Sequence, residues 1–399
     1  MRALFLVALF LGCSLPVAAK LVSDVETGGH LKSLNLYLDR VPASSAEGLI
    51  SSASARVEFK GRLAQDFDFE LAAEQQLLWS DPPRLASVQQ NSANRLLEAE
   101  KSWVADDRFA GQLQLDRFNL QGEFAATLWT IGRQAIGFGR ISLFSPLDVI
   151  APFPPDALDV DVRPGVDAIR LNRYFGLGGQ LGGILVFGDQ PRHNSYLLTF
   201  SENIGLADLL ILTGSLRDRP MIGFGLAGEL GPVGLKGELS WYRGQRVGQS
   251  GGDLRQEFAI GALELWYRFS NGLVLLAEYL YNGSGSDDPA EYPLVVSSAP
   301  VTEGLTFLLA RHYLLLGPSY ELHPLVTLNS LLIYNLQDSS YLLRPQLVVS
   351  LSDNLQLDLF WAAAVGTKPN LQPATGLPLP RSEFGSVGDT VGLLLRWYF

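Results

Sequence analysis

The last residues of the chain read "DTVGLLLRWYF", Asp389 to Phe399. Val391, Leu393, Leu395, Trp397 and Phe399 fall on one face, and Thr390, Gly392, Arg396 and Tyr398 on the other. A period of two is the signature of a β-strand. The same pattern recurs upstream. In "VEFKGRL" Val57, Phe59, Gly61 and Leu63 oppose Glu58, Lys60 and Arg62, with Arg56 beside them. "FDFELAAEQQLLW" sets Phe67, Phe69, Leu71 and Ala73 against Asp68, Glu70, Ala72 and Glu74. "LKGELSWY" (235–242) and "LQLDLFWA" (355–362) alternate likewise. Segments of about 10 residues with one apolar row, one charged row and aromatic ends suit a sheet between hydrocarbon and an aqueous lumen. Such a sheet must close on itself, because hydrocarbon satisfies no strand edge. The expected fold class is all-β, a transmembrane antiparallel β-barrel.

The connections predict the strand number. Short turns are expected near Gln65, Gly122, Gly176, Ile204, Pro232, Asn271, Pro324 and Asp353. Longer connections fall near 40–50, 80–110, 135–165, 189–194, 217–219, 244–254, 284–304, 336–340 and 367–386. Their alternation gives 18 strands with both termini on one side, or 16 if the poorly alternating 196–216 region lacks its pair. The 80–110 connection is expected to carry a short surface helix around Asn94–Val104. The carboxy-terminal strand ending in Phe399 resembles the terminal signal of bacterial outer-membrane barrels, which implies the barrel-assembly machinery as a partner.

The other terminus reads as a secretory signal: Arg2, an apolar stretch Ala3–Leu15, then small residues before a cut after Ala19. "LGC" is a poorer lipoprotein box than the small-residue site that follows it. The lone cysteine, Cys13, lies inside this signal, so disulfides and thiolate chemistry are not expected. Residues 1–19 are thus assigned to a signal peptide and 20–399 to one barrel domain, integral to the outer membrane. The formal charge of −11 argues against nucleic acid as a partner.

Motifs of enzymes fail on context. "GFGRIS" (137–142) lacks the third glycine and the strand–helix setting of a dinucleotide site. "GQSGG" (248–252) fits a nucleophile elbow by spelling, but it lies in a loop between strands. His30, His193, His312 and His323 are scattered, and no metal set forms. Asp156, Asp159 and Asp161 read as an Arg-paired or solvated acidic loop rather than a calcium site. Neither enzymatic activity nor a cofactor is expected.

The segment 132–167, "GRQAIGFGRISLFSPLDVIAPFPPDALDVDVRPGVD", contains the third outer connection, 135–165. In general porins the third loop commonly folds into the lumen, and by that resemblance this one is expected to fold inward and narrow the lumen. Leu143, Phe144, Leu147, Val149, Ile150 and Phe153 would pack on the inner wall, and Pro146, Pro152, Pro154 and Pro155 would stiffen it. Pore or constriction candidates are Arg133, Gln134, Arg140, Asp148, Asp156, Asp159, Asp161, Arg163, Asp167 and Arg170, with the five aspartates as partners of Arg133. "GRQAIGFGR" with "SPLDVIAPFPPDALDVDVRPGVDAIRL" resembles a segment of barrels related to the alginate-export porin family. The resemblance implies an 18-stranded porin. It also implies structural and pore roles for Arg133, Gln134, Asp148, Pro152, Asp159, Arg163, Gly165, Asp167 and Arg170. Alginate itself is not carried over. By alternation, eleven basic residues face inward (Arg56, Lys60, Arg62, Arg117, Arg133, Arg170, Lys236, Arg268, Arg311, Arg344, Arg396). So do nine acidic ones (Glu58, Asp68, Glu70, Glu74, Glu238, Glu264, Glu278, Glu321, Asp358), and a polyanion pore should be basic.

The expectation is a passive, porin-like outer-membrane channel for small polar or charged solutes, possible saccharides among them, in contact with outer-membrane lipid. The alternative is the barrel of an export or electron-conduit assembly with a periplasmic or oligomeric partner, and an outer-membrane enzyme stands third.

Overall fold

The first and last strands pair with each other, so the sheet closes. A computed structural model describes residues 22–39, 47–64, 66–82, 94–176, 178–371 and 378–399. Eighteen of the described strands form the wall, each antiparallel to its neighbours. They are β1 (Val22–Leu38), β2 (Gly48–Leu63), β3 (Phe67–Asp81), β4 (Phe109–Phe124), β5 (Thr127–Gln134) and β6 (Val166–Phe175). Next come β7 (Gly179–Val186), β8 (Ser195–Ile204), β9 (Ala207–Leu216), β10 (Arg219–Leu230), β11 (Val233–Arg243) and β12 (Glu257–Arg268). The circuit ends with β13 (Val274–Asn282), β14 (His312–Leu316, continued as Ser319–His323), β15 (Val326–Asn335), β16 (Tyr341–Ser352), β17 (Leu355–Val365) and β18 (Thr390–Tyr398). β18 pairs with β17 on one side and with β1 on the other, from His30↔Tyr398 to Leu38↔Thr390. The alternation read in the sequence is realised: Leu239, Trp241, Leu359, Trp361, Val391 and Trp397 are exposed on the outer face.

Two local expectations are corrected. The turn placed near Gly122 lies at Ala125–Ala126, which take φ of 49° and 60°. Gly122 stays in β4, and the Trp129 ring covers it from the next strand. The helix expected around Asn94–Val104 is instead a strand, Glu100–Asp106, hairpinned onto β4 from Glu100↔Gln114 to Asp106↔Phe109. The reason is hydrogen bonding. β5 covers β4 only from Phe118 to Phe124 and leaves the wall at Gln134, which would strand the upper edge of β4. The 100–106 strand fills that place, as an open edge demands.

The poor alternation of 196–216 also has a cause. The inner row there (Leu197, Leu210, Leu212, Leu216) is as apolar as the outer one and is buried. Leu197, Leu212 and Leu216 belong to an apolar core inside the barrel with Ile184, Val186, Met221, Phe258 and Ile260. The third outer connection fills that core. The opposite arc of wall, β1 to β4 with β16 to β18, buries charge instead: Lys32, Arg56, Asp116, Arg117, Arg344, Asp358 and Arg396.

Candidate functional site

Two residues before the connection leaves the wall stands Gly132, at φ 116°, where a β-carbon would lie 2.2 Å from the Phe118 carbonyl oxygen. Only glycine fits that backbone and that approach. The chain then turns into the lumen and makes two contacts with the wall of opposite chemical kind.

The first contact is a carboxylate cradle. Glu238 on β11 accepts from the backbone N–H of Arg140 (2.6 Å), Ile141 (3.2 Å) and Leu147 (3.1 Å), and from the Ser145 hydroxyl. Glu264 on β12 accepts from the Ser142 N–H (2.6 Å) and hydroxyl (3.2 Å) and pairs with Lys236 at 2.7 Å. Glu278 on β13 accepts from the Phe144 N–H at 3.3 Å. A loop buried without such acceptors would leave its donors unmet. Leu147 lies over Gly223 and Gly225 of β10, where a β-carbon would come within 2.5 and 2.8 Å of it. Phe144, Leu147, Val149 and Ile150 are fully buried, whereas Leu143 and Phe153 are partly so.

The second contact joins the 156–161 stretch to β16, β18 and β1. Arg344 donates to the carbonyls of Asp156 and Ala157, and Arg396 donates to that of Leu158 at 3.0 Å. Lys32 pairs with Asp159 (2.8 Å) and Asp161 (2.9 Å). The Tyr398 hydroxyl donates to Asp161 at 2.6 Å. Burial alone would raise the Asp161 carboxyl, but Tyr398 and Lys32 hold it below the usual carboxylate range.

The predicted pore residues thus separate. Arg133 is buried and wholly engaged: it grips Asp167 (2.8 and 2.9 Å) and donates to the carbonyls of Leu115 (2.8 Å) and Leu97 (2.6 Å). It braces the wall where β5 ends. Of the five aspartates expected as its partners, Asp167 alone is bonded to it among the described residues. Gln134 is buried beside it, donating to the Ala168 carbonyl at 3.1 Å. Arg140 contributes its backbone to the cradle. Arg170 lies at the short-turn end, lining a mouth with Asn172 and Tyr174. Asp156, Asp159 and Asp161 form the second contact. Asp148 and Arg163 pair at 2.5 Å, and Arg163 also donates to the Ala151 carbonyl and lies 5.1 Å from the centre of the Phe153 ring. Burial pushes the Asp148 carboxyl up to about 6, against the pull of Arg163.

Between the loop and the wall of β15 and β16 lies a cavity of about 430 Å³. Asp148, Phe153, Arg163, Asn329, Arg344 and Gln346 give its lining both signs of charge, amides and an aromatic ring.

Several residues of this region escaped sequence reading. Asp116 accepts from Arg56 (2.7 Å), Arg95 (3.2 Å), Arg117 (2.5 Å) and the Gly165 N–H (2.9 Å). A bulge opposite Ala72 and Ala73 puts both Asp116 and Arg117 inside. Two adjacent charges in an otherwise alternating strand were the available signal. At the long-loop end, Arg217 donates to the carbonyls of Ile150 (3.1 Å) and Glu303 (2.6 Å). Arg219 is bidentate to Asp253 at 2.8 Å and bonds Glu303 at 2.6 Å. Burial lowers the Arg217 guanidinium to about 10. Glu383 accepts from the Leu309 N–H (3.0 Å), Tyr313 (2.5 Å) and Asn335 (2.8 Å), and burial pushes its carboxyl up to about 7. Nothing in the spacing of these loop residues foretold their meeting. Among the described residues no group of His, Cys, Asp and Glu is placed to hold a metal ion.

No sequence family and no curated protein matches the chain. Among solved structures, Pseudomonas aeruginosa OccK8 (OprE) superposes at a TM-score of 0.56, covering 96% of this chain and 99% of its own at 11% identity. The fold of this chain is a barrel of that kind. Acinetobacter baumannii OccAB1 also gives 0.56, over 95% of this chain and 97% of its own at 8% identity. A Rhodopseudomonas blastica porin triple mutant gives 0.45 at 10% identity, with 94% and 100% covered.

Proposed function

We propose that the protein is a passive outer-membrane channel for small polar or charged solutes. The inward loop that narrows a closed, amphipathic barrel carries this reading. The loop leaves beside it a cavity whose lining is polar and of mixed sign, in a low-dielectric surround where each charge acts strongly on what passes. The apolar outer face suits an outer-membrane bilayer, with export by a cleaved signal and assembly through the strand ending in Phe399 as further parts of the same reading. The resemblance of residues 132–170 supports a relation to alginate-export porins, but the balanced lining speaks for small solutes, saccharides included, over a polyanion. The reading assigns no chemistry to the site and needs no cofactor.

The test is conductance. Purified protein in a planar bilayer gives stepwise current, and deleting Ile141–Asp161 enlarges it. A barrel silent at every voltage would end the channel reading. The second reading, a sheath for a periplasmic or export partner, is disfavoured because the chain's own loop occupies the bore. Stoichiometric co-purification with a periplasmic protein would reverse that order.

A further inference from the structure

The two contacts of the inward loop differ in how much they bury. The cradle glutamates are fully buried and surround an apolar arm. The 156–162 stretch has no comparable core. Val160 is 53% exposed, and the side chains of Asp159 and Asp161 are 36% and 35% exposed. Its hold on the wall is almost wholly ionic and polar: Lys32, Arg344, Arg396 and Tyr398. Both ends of the stretch are fixed independently of that hold. Pro154 and Pro155 stiffen the chain leading in, and Arg163 ties the far end back to Asp148 and the Ala151 carbonyl. The stretch can therefore leave the wall without unseating the cradle.

What lies beneath it matters. The Lys32 side chain is only 4% exposed and that of Arg396 7%, although both face the lumen. Arg396 keeps Asp358 at 2.7 Å whatever the stretch does. No other carboxylate pairs with Lys32 among the described residues. On its other side the stretch borders the cavity, through Ala157 and Val160. Docked, it divides that cavity from the β1–β18 wall. Lifted, it would join the two spaces and bare a cationic row.

We propose that residues 156–162 are a strap that closes this part of the lumen, with Asp159 and Asp161 standing where a mobile anion would stand. Anions in the lumen compete for Lys32 and Arg396 and lift the strap. Ion pairs whose carboxylates stay about a third exposed are salt-sensitive and of modest strength, so removing both charges shifts the docked-to-lifted ratio by roughly five- to thirtyfold. The conductance consequence rests on the channel reading. The covering of Lys32 does not.

Two measurements on the full-length barrel separate these. The first is acylation of Lys32 by a water-soluble amine reagent, located by mass spectrometry. In low KCl the wild type should react at Lys32 about tenfold more slowly than Asp159→Asn/Asp161→Asn, and high KCl should remove the gap. The second is single-channel conductance divided by bulk conductivity across a KCl series. In the wild type this ratio should rise with salt, the reverse of simple counter-ion accumulation in a charged pore, while the double variant starts at the high-salt value. Asp159→Glu/Asp161→Glu keeps the charge and should behave as wild type. Equal Lys32 reactivity in wild type and in a folded double variant would overturn the strap. Silence of both barrels with Lys32 still responding would end the channel reading and leave the strap standing.

Discussion

The two halves of the barrel interior solve one problem by opposite means. On the arc from β7 to β15, the inner wall is mostly aliphatic and aromatic around the three cradle glutamates, and it is packed against the first arm of the inward loop. On the arc formed by β1–β4 and β16–β18, the inner wall is a lattice of arginines and carboxylates. The first arc can be apolar because the loop keeps water away from it. The second is covered by polar chain, the 156–161 stretch and residues 95 and 163–165, and charges buried there persist only if each finds a partner. The comparison teaches that sidedness in this barrel runs around its circumference as well as across its wall.

The most disruptive test falls on the charged arc. Asp116→Ala leaves Arg56, Arg95 and Arg117 without their shared carboxylate. It should cost about 3–5 kcal/mol of unfolding free energy, read from urea titration of the barrel refolded in detergent. A loss under about 1 kcal/mol would mean that lumen water screens this lattice, and the contrast between the arcs would shrink. On the dry arc, Leu147→Ala empties the space over Gly223 and Gly225 and should cost about 3 kcal/mol in the same titration. An unchanged midpoint would show that the arm is not a core element.

The long-loop end offers a pH test. Burial raises the Glu383 carboxyl from 4.5 to about 7, so the folded state favours its protonated form. Its contribution is complete below about 4.5 and is lost as pH rises through about 7. The thermal midpoint should therefore fall between pH about 5 and about 8, and Glu383→Gln should flatten the fall. A wild-type slope that survives in the variant would assign it elsewhere. The smallest effect concerns Asp148, raised to about 6. Below that pH Arg163 loses its anionic partner and the cavity gains positive charge. The reversal potential in a KCl gradient should shift toward anion preference on acidification, and Asp148→Asn should reproduce the shift at neutral pH. No shift in either case would remove the pair from the solute's path.

Most of the wall was legible because alternation is a local property. Leu355 to Trp361 announces both of its faces without reference to any other strand. The 196–216 region was hard to read because its inner row reports on a loop about fifty residues upstream, which no local pattern encodes. Asn94–Val104 misled for a related reason, since its strand exists only because β5 leaves the wall elsewhere. Within the site, the apolar anchors of the connection could be read from composition, whereas its inward course rested on likeness to the third loop of general porins. The role of Arg133 could not, because a lumen charge and a wall brace have the same sequence signature until the Leu97 and Leu115 carbonyls are placed beside it.

The Glu100–Asp106 strand carries one further consequence. It belongs to the second outer connection yet completes the wall that the third abandons, so the two connections form a single transplantable cassette. Moving the inward loop alone onto another barrel would export a hole in the wall with it. A successful graft has to carry residues from both connections together, with β4 between them as the shared backing.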